Sequence, residues 1–148
     1  MKKTALHIVI LAAGKGTRMH SALPKVLHPL AGKALVQHVI DTAKTLKPTK
    51  IHLVYGAGGD LLQKHLAHEK INFVLQEEQL GTAHAAAQVL PYIPQDACVL
   101  ILYGDVPLIS TNTLRHFLQK TGPKNLGVLT AFFANPFGFG RIVNFRQV

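Results

Sequence analysis

Tryptophan is absent from this chain, cysteine occurs once, and 7 acidic side chains face 16 Lys and Arg. The lone Cys98 excludes an internal disulfide and agrees with a reducing compartment. It lies in a strand-like apolar run, where it reads as a small core residue. Long hydrophobic runs are also missing: the longest, "ACVLILY", is strand-sized and far short of the ~20 residues a membrane span needs. The N-terminus "MKKTALHIVILAAG" imitates a signal peptide, with lysines and then an apolar run. That run leads straight into a charged, glycine-rich turn with a folded pattern behind it. It reads as a buried first strand, and the chain as cytoplasmic, with no membrane partner. No low-complexity tract appears, and 48% of the residues are apolar, so the 148 residues form one globular domain with a real core.

The shortage of acid leaves a net charge of +9. Such a balance suits nucleic acid, an acidic membrane surface or small phosphorylated substrates. Lys and Arg are scattered, form no basic block and are not interleaved with aromatics, which argues against nucleic acid. A missing acidic part of a longer protein would account for some of the excess.

Strand-length apolar runs recur at 6–11, 51–55, 71–75, 98–103 and 126–133. Most are continuously apolar, as expected of strands covered on both faces of a parallel sheet. Between them, Leu35, Val36, Val39, Ile40, Ala43 and Leu46 form one helical stripe over 34–46. Leu114, Phe117 and Leu118 form another over 111–120, with Ser110 or Thr111 as N-cap. Segments 60–67 and 82–90 are shorter helix candidates. The alternation predicts an α/β fold: a Rossmann-like, mostly parallel sheet with helices on both faces. The final "GRIVNFRQV" begins as a strand and stops, so the fold reads as incomplete at the C-terminus, a domain that continues past residue 148.

The first strand is followed by "LAAGKGTRMHSALPK", Leu11 to Lys25. Ligands of open parallel sheets bind beyond the carboxyl ends of the strands, where this stretch lies. Gly14 and Gly16 permit a tight turn and close backbone approach, and free N–H groups there form an anion cradle. Arg18 adds a planar fork for phosphate oxygens and Lys25 a mobile point charge. A plain glycine-rich turn with solvated charges is the alternative. The dinucleotide fingerprint fails because Met19 stands at its third glycine, and "GKGTRMHS" is not a Walker loop.

"GKGTRM" followed by "PK" resembles the signature of sugar-phosphate nucleotidyltransferases. The resemblance continues through "PKVLHPLAGKALVQHVI", "HLVYGAGGDLL", "VLQEEQLGTAHA", "LYGDVPLI" and "GFGRI", which look like successive motifs of the bacterial N-acetylglucosamine-1-phosphate uridyltransferases. In that family this is the N-terminal, nucleotide-diphospho-sugar transferase domain of a bifunctional enzyme. Its C-terminal left-handed β-helix acetylates glucosamine-1-phosphate and makes most of a trimer. Residues 1–148 match only the first part of the uridyltransferase domain, which leaves a homo-oligomer open.

The remaining motifs have their own chemistry. "LYGDVPL" puts Asp105 after the most apolar strand, where a lone carboxylate suits Mg²⁺ or a turn cap. The resemblance implies the metal, with Tyr103 and Gly104 lining the nucleotide-sugar site; the family's second ligand, an asparagine, has no match here. In "LQEEQLGTAHA", the Gln76 amide can pair with uracil N3–H and a carbonyl, or be solvated. Gly81 and Thr82 can offer backbone contacts where a helix starts. The resemblance assigns all three, and Leu11, Ala12, Ala13 and Gly14, to substrate. Glu77 and Glu78 read as solvated. "NPFGFGRI" supplies Gly140, matching a backbone contact to the amino sugar, while Phe139 and Asn135 stand where the family usually has Tyr and Asp. His65 and His68 share a helix face but lack a third zinc ligand. His84 reads as a helix-face residue.

The resemblance implies transfer from UTP to N-acetylglucosamine-1-phosphate, giving UDP-N-acetylglucosamine and pyrophosphate. Arg18 and Lys25 would be the catalytic cations, and Mg²⁺ on Asp105 the cofactor. A related enzyme using dTTP and glucose-1-phosphate is one rival, and a non-catalytic nucleotide-binding fragment another. The family's later sugar contacts have no match, so residues 1–148 are expected to hold UTP better than the sugar phosphate and to turn over poorly.

Overall fold

The computed structural model describes residues 4–14, 16, 19, 21, 23–122, 125–138, 140 and 142. Its centre is strand β1 (Leu6–Leu11), whose residues from His7 to Leu11 are all buried. Both faces are covered, which is why the run is apolar without alternation. Ile8 and Ile10 face one side and Val9 and Leu11 the other, each in its own apolar cluster. A two-residue hairpin follows, β2 (Pro29–Leu30) and β3 (Lys33–Ala34), turned by Ala31 and Gly32 at φ 50° and 79°. Helix α1 (Leu35–Thr45) buries Val36, Val39, Ile40 and Ala43 completely. Then come β4 (Lys50–Gly56), α2 (Asp60–His65), β5 (Asn72–Gln76), α3 (Thr82–Ala87), β6 (Cys98–Tyr103) and α4 (Thr111–Thr121). Ser110 caps α4, its Oγ accepting from the Thr113 N–H at 3.1 Å.

The four long strands form one parallel sheet in the order β5-β4-β1-β6. Helices α1, α2 and α4 give Ile40, Leu62 and Leu114 to the cluster on one face, while α3 and the turn after it give Ala85 and Val89 to the other. The expected α/β architecture with helices on both faces is what the chain adopts. The order grows from β1 through β4 to β5, then returns to place β6 on the other side of β1. That reversal is a topological switch point, and the crevice outside its carboxyl ends is where such sheets bind ligands. Leu11 pairs with Tyr103 and Val54, and Gly56 with Gln76, so all four strands end at one rim.

Three sequence expectations are corrected here. The apolar run 126–133 is not a strand. Leu126, Val128 and Phe132 are exposed, and 126–129 line a groove of about 720 Å³ whose other wall is β6. Apolarity marks a segment that favours burial, but a strand also needs a hydrogen-bonded partner in register, and no ladder forms across that groove among the described residues. The candidate helices 60–67 and 82–90 stop early, at His65 and Ala87, and the second gives way to a 3₁₀ turn over Leu90–Tyr92, where Pro91 removes a donor. Cys98 opens edge strand β6 and is only half-buried. The strand foreseen in the final nine residues falls almost wholly outside the described residues. No helix among the described residues is long and apolar enough to cross a membrane.

Candidate active site

A cleft of about 580 Å³ opens at the carboxyl rim of the sheet, within the usual range for small-molecule sites. Its floor is the backbone leaving β1, from Leu11 to Gly14, with Gly16 and Met19 beyond. The Ala12 N–H continues the ladder to the Val54 carbonyl at 2.8 Å, so the floor is an extension of the sheet rather than a loose loop. Gly16 has φ +59°, and a Cβ there would lie 2.9 Å from the Cβ of Lys25. Only glycine fits both the left-handed backbone and that approach. The contact seats Lys25 on the cleft wall, together with Val26.

The opposite wall comes from the end of β6. The Gly104 N–H donates to the Leu11 carbonyl at 2.9 Å. A Cβ on Gly104 would sit 3.2 Å from that oxygen and 3.3 Å from Val26 Cγ1, so its small size lets β6 close on β1. Gly104 is therefore buried behind the cleft, whereas Tyr103 and Asp105 on either side line it. Lys25 Nζ donates to Asp105 Oδ2 at 2.6 Å, joining the two walls. Both side chains are partly exposed, 41% and 30%, so the pair faces the opening rather than the core.

The third wall is the loop between β5 and α3. Gln76 is buried at 2% exposure yet borders the cleft. Its Nε2 lies 3.0 Å from His84 Nδ1 and 3.4 Å from the Gly81 carbonyl oxygen. Gly81, at φ 102°, and Thr82 are exposed along the same wall. Glu77 and Glu78 are exposed.

Eleven residues assigned from the sequence thus meet at one cleft: Leu11, Ala12, Ala13, Gly14, Lys25, Gln76, Gly81, Thr82, Tyr103 and Asp105 line it, and Gly104 backs it. Gly140 is exposed and does not line it. Arg18, Phe139 and Arg141 lie outside the described residues. Sequence reasoning missed Gln79, whose Nε2 donates to the Ala13 carbonyl at 2.7 Å and ties the loop between β5 and α3 to the floor. Only its place in a polar strand-to-helix loop hinted at this. The Lys25–Asp105 pair was equally hidden, because 80 residues separate its members.

A second polar cluster lies at the other end of the sheet. His7 Nδ1 is 3.0 Å from His52 Nε2, and Asn72 Nδ2 is 3.1 Å from His52 Nδ1. The two rings stack at 5.3 Å, with Tyr92 tilted against His52 at 6.3 Å. Burial, then the neighbouring His7 and Lys50, push His52 down to about 4, so it stays neutral in the fold. Among the described residues, no group of three or more His, Cys, Asp or Glu could hold a metal by itself.

Residues 8–141 match the MobA-like NTP transferase domain family. Over 143 residues, 97% of the chain, the sequence is 58% identical to the bifunctional protein GlmU of Pseudomonas aeruginosa, of which it spans 31%. Among solved structures, Rv0371c of Mycobacterium tuberculosis superposes with a TM-score of 0.71 at 24% identity, covering 83% of this chain and 63% of that one. A nucleotidyl transferase from Methanothermobacter thermautotroptrophicus gives 0.69 at 19% identity, covering 78% and 57%. With the cleft at the switch point of a parallel sheet and a family match over nearly all of its length, the chain belongs to the MobA-like NTP transferases and is a nucleotidyltransferase domain.

Proposed function

We propose that this cleft binds UTP and serves uridylyl transfer to N-acetylglucosamine-1-phosphate, giving UDP-N-acetylglucosamine and pyrophosphate. The observation that carries the reading is the convergence of Lys25, Asp105, the Leu11–Gly14 backbone and Gln76 on one opening. The 58% identity to bifunctional GlmU over 97% of the chain supports this substrate pair over dTTP with glucose-1-phosphate. A cytoplasmic setting fits these substrates.

A phosphate oxygen of the sugar phosphate attacks the α-phosphorus of UTP, and the bond from that phosphorus to the β-bridging oxygen breaks, releasing pyrophosphate. The nucleophile is already anionic, so no side chain need remove a proton; the protein positions and neutralises. The backbone from Leu11 to Gly14 and the Gly81–Thr82 edge would hold base and ribose, with Gln76 against the uracil edge. Lys25 would neutralise charge on the phosphates as it builds toward pyrophosphate, with Arg18 in the same role by resemblance.

A divalent cation fits the donor set. Asp105 offers a hard, partly exposed carboxylate at the opening, and the rest of a Mg²⁺ shell comes from phosphate and water, so no preformed cage is needed. Rv0371c has been solved in complex with manganese, with a TM-score of 0.67 and 23% identity to this chain. Bound there, Mg²⁺ would supply Lewis-acid stabilisation of the phosphate oxygens.

The test is titration with UTP, CTP, ATP and dTTP in Mg²⁺, followed by pyrophosphate release with N-acetylglucosamine-1-phosphate and with glucose-1-phosphate. The reading expects UTP to bind best and the acetamido sugar to be preferred. Equal binding of all four nucleotides contradicts it.

A further inference from the structure

We propose that His84 is a positioning residue that fixes which end of the Gln76 amide faces the cleft, favouring a base that presents an N–H there, uracil over cytosine. The proposal rests on the UTP reading of the cleft and goes beyond it to the origin of base choice. His84 lies on α3 between two amides. Its Nδ1 is 3.0 Å from Gln76 Nε2, and its Nε2 is 3.0 Å from Gln88 Nε2. A neutral imidazole carries one donor and one acceptor. Two amide nitrogens cannot both donate to it, so one glutamine must turn its oxygen to the ring N–H.

The surroundings decide which one turns. Turning Gln88 would set its oxygen 3.2 Å from the His84 carbonyl oxygen, which already accepts the Gln88 backbone N–H at 3.3 Å, so burial rather than distance separates the two choices. Gln88 is half-buried, so water can take up its freed N–H groups. Turning Gln76 would set its oxygen 3.4 Å from the Gly81 carbonyl oxygen, at a side chain only 2% exposed. Opposed acceptors cost most where water cannot relieve them. His84 therefore carries its proton on Nε2, donates to the Gln88 oxygen, and accepts from Gln76 at Nδ1.

Gln76 Nε2 is then committed inward and its Oε1 is left for the cleft; no described residue donates to that oxygen. An acceptor at that point meets the N3–H of uracil. Against cytosine it meets the N3 lone pair. Without His84 that amide keeps only the long 3.4 Å contact to the Gly81 carbonyl, and it turns more readily to present N–H groups instead.

The experiment uses the 148-residue chain. Histidine ring ¹⁵N spectra without nucleotide report the tautomer, and titrations with UTP and CTP in Mg²⁺ compare wild type, His84→Leu and His84→Asn. The expected results are a bare Nδ1 and a protonated Nε2 at His84, and a wild-type preference for UTP. His84→Leu should cut that preference about 5–10-fold, the worth of one hydrogen bond. His84→Asn should keep it, because Oδ1 can stand where Nδ1 stood. A proton on Nδ1, or full preference in His84→Leu, overturns the proposal even if the leucine variant is unstable, since the ring spectrum is taken on wild type. Wild type that binds both nucleotides equally overturns base selection by His84 alone. Wild type that binds neither overturns the UTP reading and this inference with it.

Discussion

Lys25 Nζ donates to Asp105 Oδ2 at 2.6 Å, so a cation that follows the first turn and the carboxylate at the end of β6 hold each other across the mouth of the cleft. The pair ties together the two strands that flank the switch point. On the proposed reading, a metal–nucleotide complex would exchange partners with both members of the pair.

Lys25→Ala should leave the fold intact, because a partly exposed ion pair contributes only about 0–1 kcal/mol. UTP affinity should fall roughly 10–100-fold, as expected for losing a charged hydrogen-bond donor. Calorimetric titration beside a thermal melt checks both; unchanged affinity would remove Lys25 from the site.

Asp105→Asn should separate metal from nucleotide. Without divalent cation the variant should bind UTP at least as well as wild type, since one negative charge beside the phosphates is gone. With Mg²⁺, wild type should gain affinity and the variant should not. A variant that gains as much as wild type would show Asp105 to be only a turn residue.

Gly16→Ala forces a side chain into φ +59° and within 2.9 Å of the Lys25 Cβ. Left-handed backbone alone costs about 1–2 kcal/mol for an alanine. Melting should drop accordingly, and UTP binding should weaken with it because Lys25 must shift. An unaltered melt and unaltered binding would mean that the loop does not seat Lys25.

Acid should loosen the fold through His52. Its folded value, pushed to about 4 by burial, His7 and Lys50, lies below the usual 6.5. A depressed histidine contributes its full stability above the unfolded value and loses it as pH falls from 6.5 toward 4. Complete loss would amount to about 3 kcal/mol. His52→Phe should cost about 1–3 kcal/mol at pH 7 by stranding His7 and Asn72, and should flatten the melting temperature between pH 6.5 and 4. An equally steep acid profile in the variant would place the sensitive group elsewhere.

The central strands were legible because burial on both faces writes itself as an unbroken apolar run, as in Leu6–Leu11. The same signal misled at 126–133, since apolarity does not encode whether a neighbour is present to complete a ladder. The site was legible where one short segment carries it, from Leu11 to Lys25. Pairings that close the cleft were not. Lys25 with Asp105, and Gln79 with the Ala13 carbonyl, join residues 80 and 66 positions apart, and only the order β5-β4-β1-β6 brings them together. His52 was hidden for the same reason: its partners His7 and Asn72 lie on the two neighbouring strands.

The most direct measurement is an amide ¹H–¹⁵N map of the chain titrated with UTP and Mg²⁺. The account predicts shifts concentrated at Ala12–Gly14, Gly81–Thr82 and Tyr103–Asp105, with the Gln76 side-chain amide moving alongside. Shifts confined to the groove between β6 and residues 126–129, or no shifts at nucleotide excess, would contradict it.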